Sequence, residues 1–265
     1  MYQIDMNGKK GLVLGVANQR SIAWAIADVL NTAGAQMAFS YQGERLGGVL
    51  EKLTADCKDP LLLQCDVTSD EELDKLFADV EKQFGKLDFV VHAVAFAPGS
   101  TFEKAFADTT RQEWMTAMDV SAYSLVAVAQ RAQALMTSGG SVITLSYLAA
   151  ERVVPHYNMM GVAKAALEAS VRYLAYDLGK RGVRVNAISA GPLRTIAARS
   201  ISGFGSMFSE VGGKSMLGRN ITQEEVAGLA LTLLADQLGS GVSGETIYVD
   251  AGYHAMGMFL EGLEE

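Results

Sequence analysis

The chain has 265 residues, 49% of them apolar, which fits one large α/β domain with a sizeable core. A net charge of −8 and a pI near 5.0 argue against a nucleic-acid or anionic-membrane partner. No apolar run reaches the roughly 18 residues of a membrane-spanning helix, so no membrane partner is expected. Cys57, Cys65, His92, His156 and His254 lack the spacing of metal ligands, and no metal is expected. The N-terminal MYQIDMNGKK has no apolar centre of a signal peptide, and the expectation is a reduced, soluble, cytoplasmic protein.

Strand and helix patterns alternate along the chain. Residues 10–15 (KGLVLG) fit a buried strand, 21–33 a helix, 35–41 a second strand and 44–54 a second helix. A third strand spans 61–65, and 70–84 is amphipathic with Leu73, Leu76, Phe77 and Val80 on one face. Residues 87–93 form the fourth strand, followed by one helical region from about 110 to 134. Then come strand 141–145, helix 157–179 and strand 183–188. A Gly/Ser-rich stretch, 189–218, precedes helix 222–235, and 246–249 closes the sheet. This order predicts right-handed crossovers and a Rossmann-type, doubly wound α/β parallel sheet of about seven strands, a single domain over 1–265.

Ligands of such a sheet bind where strands end and helices begin. Residues 139–164, GGSVITLSYLAAERVVPHYNMMGVAK, bring Tyr147 to the end of a strand, Tyr157 to the start of a helix, and Lys164 after it. Seven residues at about 100° each return Lys164 to within about 20° of the face of Tyr157. Lys164 is flanked by Val162, Ala163, Ala165, Ala166 and Leu167, a run in which a lysine is buried for a purpose or shielded by a ligand. Core aromatics beside a solvated lysine are the structural alternative. A second pair, Tyr176 and Lys180, lies about 29 Å further down the same helix, away from the ligand crevice, and is rejected as a site.

The turn after the first strand keeps one glycine, Gly15, of the three in a standard dinucleotide fingerprint. Ser21 stands at the helix N-cap, where its hydroxyl and the amides of Ile22 and its neighbours are placed for a phosphate, or where Ser21 simply caps the helix. Gln42 takes the place of the usual ribose-binding carboxylate and favours NADH; Arg45, opposed by Glu44, leaves NADPH open. Asp66 and Val67, after the third strand, suit an adenine amino group and ring, with N-capping the alternative for Asp66. Small residues over 93–99 let a cofactor lie flat across the strand ends.

With these pieces in place, the chain resembles the divergent branch of the short-chain dehydrogenase/reductases. Within it the chain is similar to the enoyl-[acyl-carrier-protein] reductases of bacterial type II fatty-acid synthesis. The segments GVANQRSIAWAIA, YQGERL, CDV, VHAVAFAPG, SYLAAERVVPHYNMMGVAKAALEASVRYLA, GVRVNAISAGPLRT and GETIYVDAGYH carry the likeness over nearly the whole chain. Gly-x5-Ser and Tyr-x9-Tyr-x6-Lys, in register, are its specific marks. The resemblance implies that Tyr147 and Tyr157 are the two active-site tyrosines and Lys164 the lysine on the nicotinamide ribose. It implies cofactor contacts at Gly15, Ser21, Ile22, Gln42, Asp66, Val67, Val94, Leu193, Arg194, Thr195, Ile196 and Ala197, and a substrate contact at Ala97. It also implies reduction of a trans-2-enoyl thioester on acyl carrier protein, and a homotetramer. Two departures are visible where the family often has Ser-Ile-Gly and this chain has Ala93-Val94-Ala95: a hydroxyl is lost at Ala93 and a methyl group gained at Ala95.

Two other functions compete. An ordinary ketone reductase wants lysine four residues after the tyrosine, where this chain has Gly161; a silent dinucleotide sensor has no need of both Tyr157 and Lys164. Finally, residues 195–215 must cross the mouth of the crevice. Ile201, Phe204 and Met207 recur at helical spacing and are expected to form the acyl-contacting face of a substrate lid, or else of a short helix packed permanently on the core. The apolar tail 250–260 is expected at an interface.

Overall fold

A computed structural model describes residues 4–199 and 203–259. The strands are β1 (Lys10–Leu14), β2 (Gln36–Tyr41), β3 (Leu61–Gln64), β4 (Phe89–His92), β5 (Gly140–Ser146), β6 (Val183–Ala190) and β7 (Thr246–Val249). They pair in the order β3-β2-β1-β4-β5-β6-β7, all parallel. The order reverses between β1 and β4, so their carboxyl ends open a crevice that no crossover covers.

The helices between them are α1 (Ile22–Thr32), α2 (Glu44–Leu53), α3 (Asp70–Phe84), α4 (Arg111–Met118), α5 (Ser124–Leu135), α6 (Asn158–Gly179), α7 (Ile196–Arg199), α8 (Phe204–Lys214) and α9 (Gln223–Leu234). Alternation along the strands divides the core into two layers. Val13, Phe39, Val91 and Ile143 point to one face, where Ile26 and Leu30 of α1 meet Val226, Ala230 and Leu233 of α9. Leu12, Leu14, Val90 and Val142 point to the other, against Leu73, Leu76 and Val80 of α3, Val128 of α5, and Leu167 and Val171 of α6. The face of α3 read from the sequence is the one that is buried, and Ser69 caps that helix by accepting from the Glu72 N–H at 3.2 Å.

One element differs from the sequence reading. The helix expected over about 110–134 is broken by a π-helical segment, Asp119–Tyr123, between α4 and α5. The Gly/Ser-rich stretch after β6 holds α7 and α8, which puts Phe204 and Met207 on a helix as their spacing suggested, despite Gly205, Gly212 and Gly213. Burial of Phe204 and Val211, and a hydrogen bond from Asn220 Nδ2 to the Phe208 carbonyl at 2.9 Å, offset the poor helix propensity of those glycines. Ser200, Ile201 and Ser202 lie outside the described residues, as does Leu260 at the end of the apolar tail.

Candidate active site

The floor of the crevice is a close backbone approach. Gly15 has φ +97°, and a Cβ there would lie 2.1 Å from the carbonyl oxygen of Ala93. No other residue fits without moving the end of β4 from β1. Ser21 is the N-cap residue of α1, yet its hydroxyl does not cap the helix. It turns back to accept the N–H groups of Ala17 and Asn18, each at 3.1 Å, which braces the turn. The first-turn amides of α1, that of Ile22 among them, are therefore left without a side-chain acceptor, at the positive end of the helix. A cradle closed to any Cβ and open amides at a helix N-terminus suit a dinucleotide phosphate.

Gln42 and Asp66, at the ends of β2 and β3, are brought together: Gln42 Nε2 donates to Asp66 Oδ2 at 2.6 Å. Asp66 also accepts from the Thr68 N–H and hydroxyl, so it braces its own loop rather than capping α3, a task that falls to Ser69. Partial burial opposes its ionisation, but these hydrogen bonds hold its carboxyl below the usual range. Val67 and Val94 pack on one core layer. Leu193 is buried, Arg194 lies 4.5 Å over the Phe208 ring, and Thr195 Oγ1 accepts from the Ala198 N–H at 3.1 Å. Ile196 is exposed. Ala197 falls within α7, the first turn after Thr195. Arg20, Leu193, Arg194, Phe208 and Thr222 line a cleft of about 460 Å³.

The reacting end is built by β5 and α6. Tyr147 follows β5, and its ring centroid is 4.9 Å from that of Tyr157. Tyr157 is the N-cap residue of α6 rather than its first turn, and its neighbours His156 (φ +66°) and Asn158 (φ +42°) are both in the left-handed region. Such conformations cost of order 1–3 kcal/mol each in non-glycine residues and are tolerated where the surroundings impose them. Here Asn158 is tied down by two 2.9 Å bonds from its Nδ2 to the carbonyls of Thr101 and Lys104. The half-buried Tyr157 packs against a buried cluster that includes Ala97, Phe102, Met159 and Met160. The Tyr147 hydroxyl lies 3.6 Å from Met207 Sδ of α8, and Phe204 is buried beneath that helix. Tyr147, Val154, Met207, Val211, Tyr253 and Phe259 face a cleft of about 610 Å³.

Lys164 is buried, at 6% exposure, and donates to the Leu145 carbonyl at 2.7 Å. Burial pulls its pKa down to about 8, an effect that the charge of Glu168 opposes. Burial, and then Tyr147, push the Tyr157 phenol well above its ordinary value, and burial raises Tyr147 to about 12. Both phenols therefore stay protonated as hydrogen-bond donors. At Gly161, where an ordinary relative carries its lysine, a Cβ would meet the Ala149 carbonyl at 2.9 Å. By contrast Tyr176 is 72% exposed with Lys180 over its ring, which fits its rejection as a site.

Sequence reasoning missed the π-helical segment, whose only sign was two serines three apart in an apolar helix. Ser121 bonds both backbone groups of Phe96, accepting from N–H and donating to C=O, each at 2.9 Å. The loop that carries Val94 and Ala97 is thereby fixed. The Ser124 hydroxyl donates to the Val120 carbonyl at 2.6 Å, so it accepts from His92 Nε2 at 2.9 Å; His92 Nδ1 lies 3.0 Å from the Thr144 hydroxyl, which also reaches the His92 carbonyl at 3.1 Å.

The family model described as enoyl-(acyl carrier protein) reductase matches residues 15–254. An "Enoyl-[acyl-carrier-protein] reductase [NADH] 1" of Rhizobium meliloti is 51% identical over 253 residues, 96% of this chain and 93% of that protein. The crystal structure of the Bacillus cereus enoyl-acyl carrier protein reductase with NADP+ and indole naphthyridinone superposes with a TM-score of 0.94 at 48% identity, covering 96% of this chain and all of that one (100%). A reductase of the same description from Anaplasma phagocytophilum, in complex with NAD, gives 0.92 at 48% identity, over 97% of this chain and 98% of its own.

Burial, and the positive charge of Lys164, push the His92 imidazole down to about 3, so it is neutral when folded. The unfolded chain takes up that proton near 6.5, and between these values it binds more protons than the native state. Stability is therefore expected to fall as pH drops below about 6.5, more steeply than in His92→Gln; urea midpoints at several pH values between 7.5 and 5 check this, and equal slopes would refute it.

Proposed function

Because the chain belongs to the enoyl-(acyl carrier protein) reductase family, we infer its reaction from how that chemistry meets this site. It is an NADH-dependent reductase of the carbon–carbon double bond of trans-2-enoyl thioesters on acyl carrier protein, the last step of the elongation cycle of type II fatty-acid synthesis. The observation that carries the reading is a buried lysine two turns, not one, beyond a half-buried tyrosine whose ring packs on that of Tyr147, which itself lines an acyl-sized cleft.

Gly15, the first-turn amides of α1, Gln42 and Asp66 would hold the adenosine end, and the run from Leu193 to Ala197 the nicotinamide end. When bound, NADH would supply the hydride that the β-carbon of the enoyl thioester takes up. Charge then gathers on the thioester oxygen, and the Tyr157 hydroxyl donates a hydrogen bond aimed at it. With its phenol pushed upward by burial, Tyr157 holds its proton rather than surrendering it, which suits a reaction that ends with protonation at the α-carbon. A lysine one turn away would lower that pKa; Ala149 bars the position. Lys164 holds the ribose hydroxyls, and Tyr147 shapes the acyl side, with Ala97, Phe204 and Met207 in contact with the chain. NADPH is the second donor to compare, since one solved neighbour carries NADP+.

Two finer readings accompany this one. α8 acts as a substrate lid within 195–215, supported by its apolar inner side and its seat beside Tyr147. Ile201 was read as part of that face and lies outside the described residues. The chain assembles as a homotetramer with dihedral symmetry, supported by Met115, Tyr123, Tyr173 and Tyr176, which α4 to α6 leave exposed. Part of the apolar tail is accounted for within the chain: Phe259 stacks on Tyr253 at 5.5 Å and receives Lys214 at 5.0 Å. The unpaired thiols of Cys57 and Cys65 fit a cytoplasmic setting.

Following NADH loss with a crotonyl or longer enoyl thioester tests the reaction itself. Tyr157→Phe is expected to lower turnover by about 10²–10³, and Lys164→Ala to weaken NADH binding; native turnover in the first or an unchanged dissociation constant in the second would remove the assigned role. For the lid, hydrogen exchange over residues 203–211 should slow when NADH and an acyl-chain analogue are added. Strong, equal protection in both samples would mean a permanent core helix. Light scattering at micromolar concentration should give four times the chain mass, and a monomer would end the assembly reading.

A further inference from the structure

One turn beyond Lys164, on the same side of α6, stands Glu168, itself only 5% exposed. The two residues meet consecutive residues of β5. Lys164 donates to the Leu145 carbonyl at 2.7 Å, and the next side chain, Ser146, donates its hydroxyl to Glu168 Oε1. Tyr147 departs from the residue after that.

A buried carboxylate is costly in a helix that has leucine and valine, Leu167 and Val171, filling its core side. Its partners show no structural need for it. Ser146 could be answered by a neutral acceptor, and among the described residues no cation comes within 4.0 Å to form an ion pair with it. What a charge does here that a neutral group would not is act on Lys164, whose ammonium has lost its water. The charged and titratable groups around the pair are few. Glu151 approaches from the turn after β5, Arg172 from α6 and Tyr248 from β7; His92 faces Lys164 from β4 and is neutral. Glu168 raises the pKa of Lys164 against the effect of burial; burial, with Glu151, lifts the Glu168 carboxyl above its own ordinary value, and the bond from Ser146 and the charges of Arg172 and Lys164 oppose that rise.

We propose that Glu168 is a positioning residue of the reductase site: its carboxylate keeps Lys164 an ammonium, and its bond with Ser146 locks the strand end from which Tyr147 reaches the cleft. The proposal rests on the reading of Lys164 as the ribose-binding residue, and it accounts for a lysine that is both buried and charged. Without the carboxylate, desolvation alone would set its proton affinity, and the ammonium would be lost at a lower pH.

Glu168→Gln tests it, because the amide keeps the shape and an oxygen for Ser146 while removing the charge. The Lys164 side chain is titrated by nitrogen NMR of labelled lysine, assigned with Lys164→Ala, and NADH affinity is followed by fluorescence over the same pH range. In the native protein both should change near pH 8. In Glu168→Gln both midpoints are expected to fall by about one pH unit, with affinity unchanged well below them. Ser146→Ala, which keeps the carboxylate but raises its proton affinity, should shift both in the same direction by less, and it carries the test if Glu168→Gln fails to fold. A lysine midpoint that stays at its native value in these variants overturns the proposal. A midpoint that falls while NADH affinity does not follow it upholds the link between Glu168 and Lys164 and overturns the ribose role, so the two failures are distinct.

Discussion

The site depends on burying an ammonium. Lys164 has 6% exposure and one fixed partner, the Leu145 carbonyl at the end of β5. An unpaired buried charge costs several kcal/mol, so the surroundings must supply both acceptors and field. They do so by locking α6 to β5 at two consecutive residues, which sets the rotation of the helix and with it the position of Tyr157 two turns earlier. The same lock explains why the tyrosine and lysine can be two turns apart. At one turn the helix backbone runs against Ala149, and there is room only for Gly161.

The crevice on the other side of this lock is held open by a second set of constraints. Gly15 lets β1 and β4 approach at their carboxyl ends, where the strand order reverses. The π-helical turn between α4 and α5 then turns Ser121 and Ser124 toward the sheet, onto Phe96 and His92. Insertions of this kind often mark functional sites, since the extra residue re-aims neighbouring side chains. In this chain they fix a loop made of small residues, which has little packing of its own. A rigid floor and a rigid lysine leave α8 and the C-terminal segment as the walls that differ most from a regular α/β frame.

Much of the frame was legible in the sequence. Strands buried on both faces read as short apolar runs, and α3 and β7 end where periodicity and turn residues place them. Tyr157 and Lys164 could be named because helical spacing relates them locally, Tyr147 because it ends a strand, and an apolar run around a lysine is visible in one dimension. Where local rules mislead, the cause is a contact from far along the chain. Ser21 has the sequence of an N-cap, but its hydroxyl is taken by the loop before it. The capping alternative for Asp66 fails in the same way, because its carboxylate meets Gln42 from another strand. Glycine propensity by itself opposes a helix over 204–214, and the burial of Phe204 and Val211 offsets it.

The sequence by itself determined the parallel α/β frame, the single glycine at the first turn, and the pairing of two tyrosines with one lysine, since each follows from period, spacing or the conformational freedom of one residue. Tertiary structure alone decided which groups the chemistry can use. It buried Lys164 against the Leu145 carbonyl, joined Glu168, one turn further on, to Ser146, and pressed Ala149 against Gly161. It also aimed Ser121 at a loop 25 residues earlier. The physical reason is that proton affinity and orientation depend on desolvation and on partners distant in sequence, and neither is encoded in a local pattern.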